Sequence, residues 1–304
     1  MKTLVIILNK DNADNLKRCL ESLLNQSVKD FDILVLDGAS KDNSKEVAEK
    51  YGVKFKVQDK LGGTGFARIE GCLYALKNGY DVVIWGDSEN YYDRDYIKEI
   101  LKTLKNCDVA GGIPIVEGGF FAHAFAWYHA IHLIFPNLYK VHIPGNNKAE
   151  KTWIYRVALY PKSIRAEDYG FSLLLLKKGI KLKQEVANAV VYVSLPKSFG
   201  DILKWQSARA KGVAQALKEV GFKPYDVVAW SFISLLIPIL LILSFVSCIP
   251  LLAYVSILLT ASIWLHIKSR KFIKNYKKIY FFAPLFGILL HSIYSIKALY
   301  EVVK

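Results

Sequence analysis

The sequence predicts an α/β domain with a mostly parallel sheet, followed by an all-α transmembrane region. In the first hundred residues, short apolar runs typical of buried strands alternate with segments of helical periodicity. From Val227 to Ile267, 41 consecutive residues include no Asp, Glu, Lys or Arg, and about 20 apolar residues are enough for a helix to cross a bilayer. We therefore expect a soluble domain over 1–226 and a membrane domain over 227–304.

The strands are predicted from runs rich in Val, Ile and Leu, and the helices between them from apolar residues at helical spacing. In parallel sheets, ligands bind beyond the carboxyl ends of the strands, where Asp37 and Asp87 are expected. The predicted strands are "TLVIIL" (3–8), "DILVLD" (32–37), "VKFKVQ" (53–58) and "DVVIW" (81–85), and the predicted helices cover 16–24, 42–51 and 65–79.

The C-terminal region is long enough for two spans that turn near 247–250, followed by a third apolar segment over 279–300. The loop between the second and third segments, 268–278, has six basic residues, which the positive-inside rule places in the cytoplasm. Residues 1–226 are then cytoplasmic as well, and the chain is an integral membrane protein. The third segment includes Pro284, His291 and Lys297, so it either spans the membrane or lies along its surface.

The formal net charge of +14 indicates an anionic partner. No nucleic-acid-binding module is present, so the basic surface is expected to face a membrane or a phosphorylated substrate rather than nucleic acid. The four cysteines form no CxxC pair, and neither a zinc site nor a disulfide framework is indicated.

Two carboxylates, Asp87 and Glu89, directly follow the fourth predicted strand. Carboxylate oxygens suit hard cations such as Mg²⁺ or Mn²⁺, which commonly bridge to substrate phosphates. A bare D-x-E more often begins a solvated loop, so the interpretation depends on the other motifs of the chain.

Five motifs occur in a characteristic order: "VLDGASKDNS" (35–44), "GGTGFARIEG" (62–71), "GDSENYYDRDYI" (86–97), "AEDYGFSLLLLKKG" (166–179) and "QSARAKG" (206–212). Together they resemble the family-2 inverting glycosyltransferases, over about residues 1–215. The resemblance implies a GT-A fold, a Rossmann-like nucleotide-sugar-binding domain. It also implies a UDP- or GDP-sugar donor and a divalent metal cofactor.

The resemblance assigns a role to each motif. Asp37 would contact the nucleotide, and Arg68 lies in the segment near it. Asp87 and Glu89 match the metal-binding "DxD" pair, with Asp87 also close to the donor. The remaining assignments are Asp168 as general base, and Gln206 and Arg209 as the start of the "QxxRW" motif, where the arginine meets the donor diphosphate. Ala210 replaces the tryptophan of processive synthases, which argues against a chain-extending enzyme.

Two further segments are candidates for contact with the acceptor. The aromatic segment 118–135, with His123, His129 and His132, is predicted to be an interfacial helix near the acceptor entrance or a plain core helix, and not a metal site. The segment 145–156 is expected to be a loop. Its Lys148, Lys151 and Arg156 would either meet a lipid phosphate or be solvated.

These expectations lead to a membrane-anchored, metal-dependent inverting glycosyltransferase with a lipid-linked acceptor hydroxyl. Two alternatives remain. The first is a polyprenyl-phosphate hexose synthase, whose acceptor is already ionised and needs no base. The second is a non-catalytic membrane scaffold, against which the full set of carboxylates and Arg209 argues.

Overall fold

The computed structural model describes all 304 residues as a mixed eight-stranded sheet with helices on both faces and long apolar helices at the C-terminal end. The strands are β1 (Thr3–Asn9), β2 (Asp32–Asp37), β3 (Lys54–Val57), β4 (Val82–Asp87), β5 (Asn90–Tyr92), β6 (Val109–Glu117), β7 (Lys148–Lys151) and β8 (Gln184–Ser194). The first helices are α1 (Ala13–Leu24), α2 (Ser44–Lys50), α3 (Thr64–Lys77), α4 (Tyr96–Leu104), α5 (Gly119–His129) and α6 (Ile131–Ile134). The others are α7 (Trp153–Val157), α8 (Glu167–Lys177), α9 (Phe199–Val220), α10 (Tyr225–Leu243), α11 (Ile249–Ser269) and α12 (Ala283–Val303).

The strand order is β3-β2-β1-β4-β7-β6-β8-β5, and the first four strands are parallel, as predicted. Strand β7 is antiparallel to both of its neighbours, and β5 is antiparallel to β8. In this register Asn9 pairs with Asp37 and Leu8 pairs with Asp87. The two aspartates therefore lie at the same edge of the sheet, the edge at which ligands bind in such folds.

Each face of the sheet is covered by its own core. Helices α1, α2 and α4 pack on one face, where Leu16, Leu20 and Ile100 are fully buried. Helices α3, α7 and α8 cover the other face, where Trp85 and Phe171 are buried. This two-sided burial explains why β1, β2 and β4 are nearly continuous apolar runs rather than alternating ones.

Strand β7 corrects one prediction. Residues 148–151 were expected in a loop, but Lys148 lies in the sheet, opposite Trp85 of β4 and Gly111 of β6. Its ammonium forms a buried ion pair with Glu150 (Nζ···Oε1 2.8 Å). Glu150 also accepts hydrogen bonds from Trp85, Tyr155 and Tyr160. A buried charge pair of this kind is stable only when such partners satisfy it.

Residues 118–135 fold into two helices, α5 and α6, and α5 is largely buried against the C-terminal apolar helices. Ala122, Phe125 and Trp127 of α5 are fully buried, and the helix packs against α11 and α12. His123 bonds the carbonyl of Gly119 and accepts from the Lys277 amide, so it is satisfied within the protein.

Three helices are long and apolar enough to cross a membrane, by length and composition. Helices α10 and α11 form a hairpin whose tip is exposed: Phe245 is 93% and Val246 91% accessible. These exposed apolar side chains indicate an association with lipid.

Helix α12 differs from this hairpin because it packs against the helices of the sheet domain along its length. Near its start, a Cβ added to Gly287 would lie 2.0 Å from the Ala124 carbonyl oxygen of α5. Near its end, Lys297 donates to Ser207 of α9 (2.6 Å), and Ala298 shares a core cluster with Val213. Both ends of α12 thus contact helices of the sheet domain.

The basic segment 268–278 also contacts the sheet domain. Ile273 bridges to Val116 at the end of β6, and the Lys274 amide donates to the Val116 carbonyl (3.0 Å). The Lys274 ammonium reaches Glu117 (2.5 Å) and the Tyr91 hydroxyl (2.7 Å). The connection between the apolar helices is therefore fixed to the sheet.

Candidate active site

A cavity of about 810 Å³ begins at the carboxyl end of β4 and extends to the apolar C-terminal helices. At one end it is lined by Asp87, Glu89 and Asp168. At the other end it is lined by Trp230 of α10 and by His291 of α12. Five of the site residues predicted from the sequence line this cavity: Arg68, Asp87, Glu89, Asp168 and Arg209.

Asp87 and Glu89 fit a divalent cation. Burial, and then the negative charge of Glu89, raises the pKa of Asp87 to about 7, against smaller opposing effects of Arg68 and Arg165. A bound cation relieves this repulsion, and carboxylate oxygens are suitable ligands. No group of three His, Cys, Asp or Glu side chains converges on one point, so substrate phosphate and water would complete the coordination.

Asp168 is held rigidly in the cavity wall at the start of α8. Its Oδ2 accepts a hydrogen bond from the Gly145 amide and its Oδ1 from its neighbour Tyr169's amide, both at 2.8 Å. Burial opposes ionisation, but His142, Lys148 and the Gly145 amide together hold the pKa of Asp168 below its usual value. The carboxylate is therefore ionised and oriented, as a proton acceptor must be.

Arg68 lies beside these carboxylates in a buried ion pair with Glu167 (Nε···Oε1 2.6 Å). Glu167 also accepts from the Thr64 hydroxyl, and both Thr64 and Glu167 line the cavity. The guanidinium carbon is 4.8 Å from the ring of Trp85. Glu167 was not among the predicted site residues, although it directly precedes Asp168 in the "ED" motif.

A hydrogen bond to Gln206 fixes the position of the Arg209 side chain. The Arg209 Nε donates to Gln206 Oε1 (2.9 Å), and its guanidinium carbon is 5.6 Å from the ring of Tyr128. Gln206 is fully buried and does not line the cavity, so it positions Arg209. Sequence reasoning grouped both as donor contacts, and the structure gives them different positions.

The other predicted residues lie away from the cavity. Asp37 is buried and accepts from Asn9 (2.8 Å) and from the Ser40 hydroxyl (2.6 Å) at the end of β2. Lys148, Lys151 and Arg156, the acceptor candidates, do not line the cavity. Lys148 is enclosed by its pairing with Glu150, so it is not free to meet a lipid phosphate.

Comparison with known proteins places the chain in a family. The model of glycosyl transferase family 2 matches residues 4–158, about half of the chain. This chain belongs to glycosyl transferase family 2. It is a nucleotide-sugar-dependent glycosyltransferase with a GT-A fold. The alternative of a non-catalytic membrane scaffold is therefore rejected.

Two curated relatives match the chain over about 200 residues. An undecaprenyl-phosphate mannosyltransferase of Micrococcus luteus is 24% identical over 205 residues, which are 63% of this chain and 83% of the relative. Glycosyltransferase GlyA of Streptococcus pneumoniae is 25% identical over 212 residues, again 63% of this chain but 29% of that longer protein.

Solved structures support the same fold. The mannosyltransferase PcManGT from Pyrobaculum calidifontis, in complex with GDP-Man and Mn²⁺, has a TM-score of 0.60 at 14% identity, covering 99% of this chain and 87% of its own. Glucosyl-3-phosphoglycerate synthase from Mycobacterium tuberculosis has a TM-score of 0.54 at 13% identity, covering 73% of this chain and 81% of its own.

Proposed function

We propose that this enzyme transfers a sugar from a UDP- or GDP-sugar to the hydroxyl of a polyprenyl-linked acceptor, with inversion at the anomeric carbon. The observation that carries the proposal is the single cavity that joins Asp87, Glu89 and Asp168 to Trp230 and His291 of the apolar helices. A donor from water and an acceptor from lipid could both reach such a cavity. A soluble acceptor would need no wall made by α10 and α12.

In this proposal Asp87 and Glu89 hold Mg²⁺ or Mn²⁺, and Arg68 contributes to the donor site. Asp37 does not line the cavity but lies at the same edge of the sheet, from which it would contact the nucleotide. When bound, the cation neutralises charge that develops on the departing nucleoside diphosphate. Arg209 supplies a second positive charge, held in place by Gln206. Asp168 accepts the proton of the attacking hydroxyl, because a neutral alcohol attacks well only when a base removes its proton.

A second candidate is transfer to a polyprenyl phosphate itself. It is favoured by the relative from Micrococcus luteus, an undecaprenyl-phosphate mannosyltransferase. A phosphate acceptor is already an anion at neutral pH, so this reaction does not require Asp168 as a base. The buried, hydrogen-bonded and ionised state of Asp168 supports the hydroxyl acceptor instead.

We also propose that 1–226 is the catalytic domain at the cytoplasmic face, that α10 and α11 cross the membrane, and that α12 lies along its surface. A spanning helix would carry one of its ends about 30 Å away from a domain on one side. Both ends of α12 contact the sheet domain instead: Ala283 shares a core cluster with Phe125 of α5, and Val302 packs against the cluster that includes Val213 of α9. With two spans, both chain ends are on the cytoplasmic side.

The test uses the full chain, purified and reconstituted in lipid nanodiscs. Nucleoside diphosphate release is measured with UDP- and GDP-sugars, first alone and then with polyprenyl phosphate or with a polyprenyl diphosphate that carries one N-acetylhexosamine. We expect release to be stimulated by the saccharide-bearing lipid and to depend on Mg²⁺ or Mn²⁺. Stimulation by polyprenyl phosphate alone would favour the second candidate, and no stimulation by either lipid would contradict both.

A further inference from the structure

The part of the cavity nearest the apolar helices has an unusual wall of aromatic and imidazole rings. We call this part the aromatic chamber; it is formed by Tyr128 and His129 of α5, Trp205 of α9, Trp230 of α10 and His291 of α12, all of which line the cavity. The rings form one cluster: those of His129 and Trp205 are stacked with centroids 6.0 Å apart, and that of His291 is 4.7 Å from Trp230.

Both histidines of the chamber have a buried nitrogen without a partner in the protein. These atoms are His129 Nε2 and His291 Nδ1, and His291 as a whole is only 6% accessible. Buried polar atoms are nearly always hydrogen-bonded in native proteins. His132 Nδ1, outside the chamber, is also unpartnered, so the two chamber histidines are distinguished by their place in the wall of this cavity, where a ligand hydroxyl would supply the missing hydrogen bond.

The chemistry of the wall selects the class of that ligand. Burial lowers the pKa of His129 to about 4, so its imidazole is neutral at physiological pH. A neutral imidazole offers one donor and one acceptor, which matches a hydroxyl group. A phosphate offers only acceptors at neutral pH and is bound best by clustered cations. The only cation held against these rings is Arg209, over Tyr128.

From this geometry we infer that the aromatic chamber binds a saccharide of the lipid-linked acceptor, with His291 and His129 as specificity-determining residues. The flat rings of Tyr128, Trp205 and Trp230 present apolar surface to the C–H face of a sugar ring, and the imidazole nitrogens bond its hydroxyls. Pockets of this type combine aromatic walls with a few placed polar groups. This inference rests on the proposed function and narrows the acceptor to a glycolipid rather than a bare polyprenyl phosphate.

The test compares variants of the full chain in nanodiscs with the donor that the wild type uses. The acceptor probe is polyprenyl diphosphate that carries one N-acetylhexosamine. In His291→Phe the ring shape is kept and the hydrogen bond is lost, so the KM for this lipid should rise about three- to tenfold. The KM for the donor should stay within about twofold. His291→Gln restores a donor and an acceptor and should recover most of the loss.

His132→Phe is the matched control, because His132 is equally buried but lies outside the chamber, near the Gly112 carbonyl. Its KM for the lipid should equal that of the wild type. His129→Phe is the second variant, with the same expected rise in KM, and it decides the question if His291→Phe fails to fold.

Two results would overturn the inference. Transfer with an unchanged KM in both His291→Phe and His129→Phe would show that the chamber does not read the sugar, while leaving the proposed function intact. Turnover of bare polyprenyl phosphate that is as efficient as turnover of the glycolipid would also overturn the inference, and it would favour the second candidate function. Absence of transfer to either lipid by the wild type would instead reject the proposed function, and the inference with it.

Discussion

Asp168→Asn separates a hydroxyl acceptor from a phosphate acceptor, and the structure sets its two expected effects. The first is on catalysis: the amide cannot take a proton, and general-base catalysis contributes about 10² to 10⁴ in rate. We expect kcat with a hydroxyl-bearing lipid to fall at least about a hundredfold. Donor binding should survive, because Asp168 contacts the Gly145 and Tyr169 amides rather than Asp87 or Arg209, the residues proposed for the donor site.

The second effect is on stability. In the native chain each Asp168 oxygen accepts one backbone hydrogen bond, at 2.8 Å, from Gly145 or Tyr169. Asparagine has only one acceptor oxygen, so one buried N–H loses its partner at a cost of about 1–3 kcal/mol. The thermal midpoint should therefore fall by several degrees while the protein remains folded.

The assay measures transfer of radiolabelled sugar to lipid, and donor affinity by calorimetry. Asp226→Asn is the matched control: Asp226 lines the same cavity and accepts from the Tyr169 hydroxyl (2.8 Å), and its transfer rate should stay within about threefold. Transfer by Asp168→Asn close to the wild-type rate would refute the base assignment and favour the phosphate acceptor. Loss of donor affinity together with transfer would mean that Asp168 is structural.

Three other predictions follow from the site and the membrane helices. Glu89→Ala should abolish both metal-stimulated transfer and metal binding, because alanine offers no oxygen ligand; full activity of the wild type in excess chelator would contradict the metal site. Cys248 is exposed at the tip of the α10–α11 hairpin, whereas the other cysteines are buried. In intact cells a membrane-impermeant maleimide should label Cys248 and should not label Lys304→Cys in a Cys248→Ser background; labelling of the latter would mean that α12 spans. Glu117→Gln removes the negative charge that pairs with Lys274 (2.5 Å), so tryptic cleavage after Lys274 should quicken about fivefold, equivalent to about 1 kcal/mol, and the equally exposed Glu99→Gln, which does not contact Lys274, should have no effect.

Three strands of the parallel half, β1, β2 and β4, could be predicted because they are largely buried on both faces, whereas the edge strand β3 is largely exposed. The runs that became β1, β2 and β4 are almost entirely apolar, and α3 ends at Lys77, two residues before the predicted end of that helix. Strand β7 could not be predicted, because its sequence, "KAEK", is charged and polar. Its burial depends on the ion pair between Lys148 and Glu150 and on tyrosines distant in sequence.

Only part of the candidate site could be predicted from the sequence. Asp87, Glu89, Asp168 and Arg209 follow motifs of fixed local spacing, and the structure brings all four to one cavity. The aromatic chamber has no local motif, since its rings come from α5, α9, α10 and α12. Only the packing of α12 on the sheet domain brings His291 to that wall, and no periodicity in the sequence indicates such a contact.

The close approach of α12 to α5 at Gly287 has a consequence for how substrates are chosen. Because the two backbones lie so close there, any side chain at position 287 would collide with the Ala124 carbonyl and push α12 away from α5. His291 lies one turn further along the same helix, so its position depends on the same contact. The enzyme is thus expected to select its lipid acceptor by shape, because an acceptor that does not fit beside His291 is excluded. Variation of this helix contact would then be a direct route to altered acceptor choice, with the nucleotide end of the cavity left unchanged.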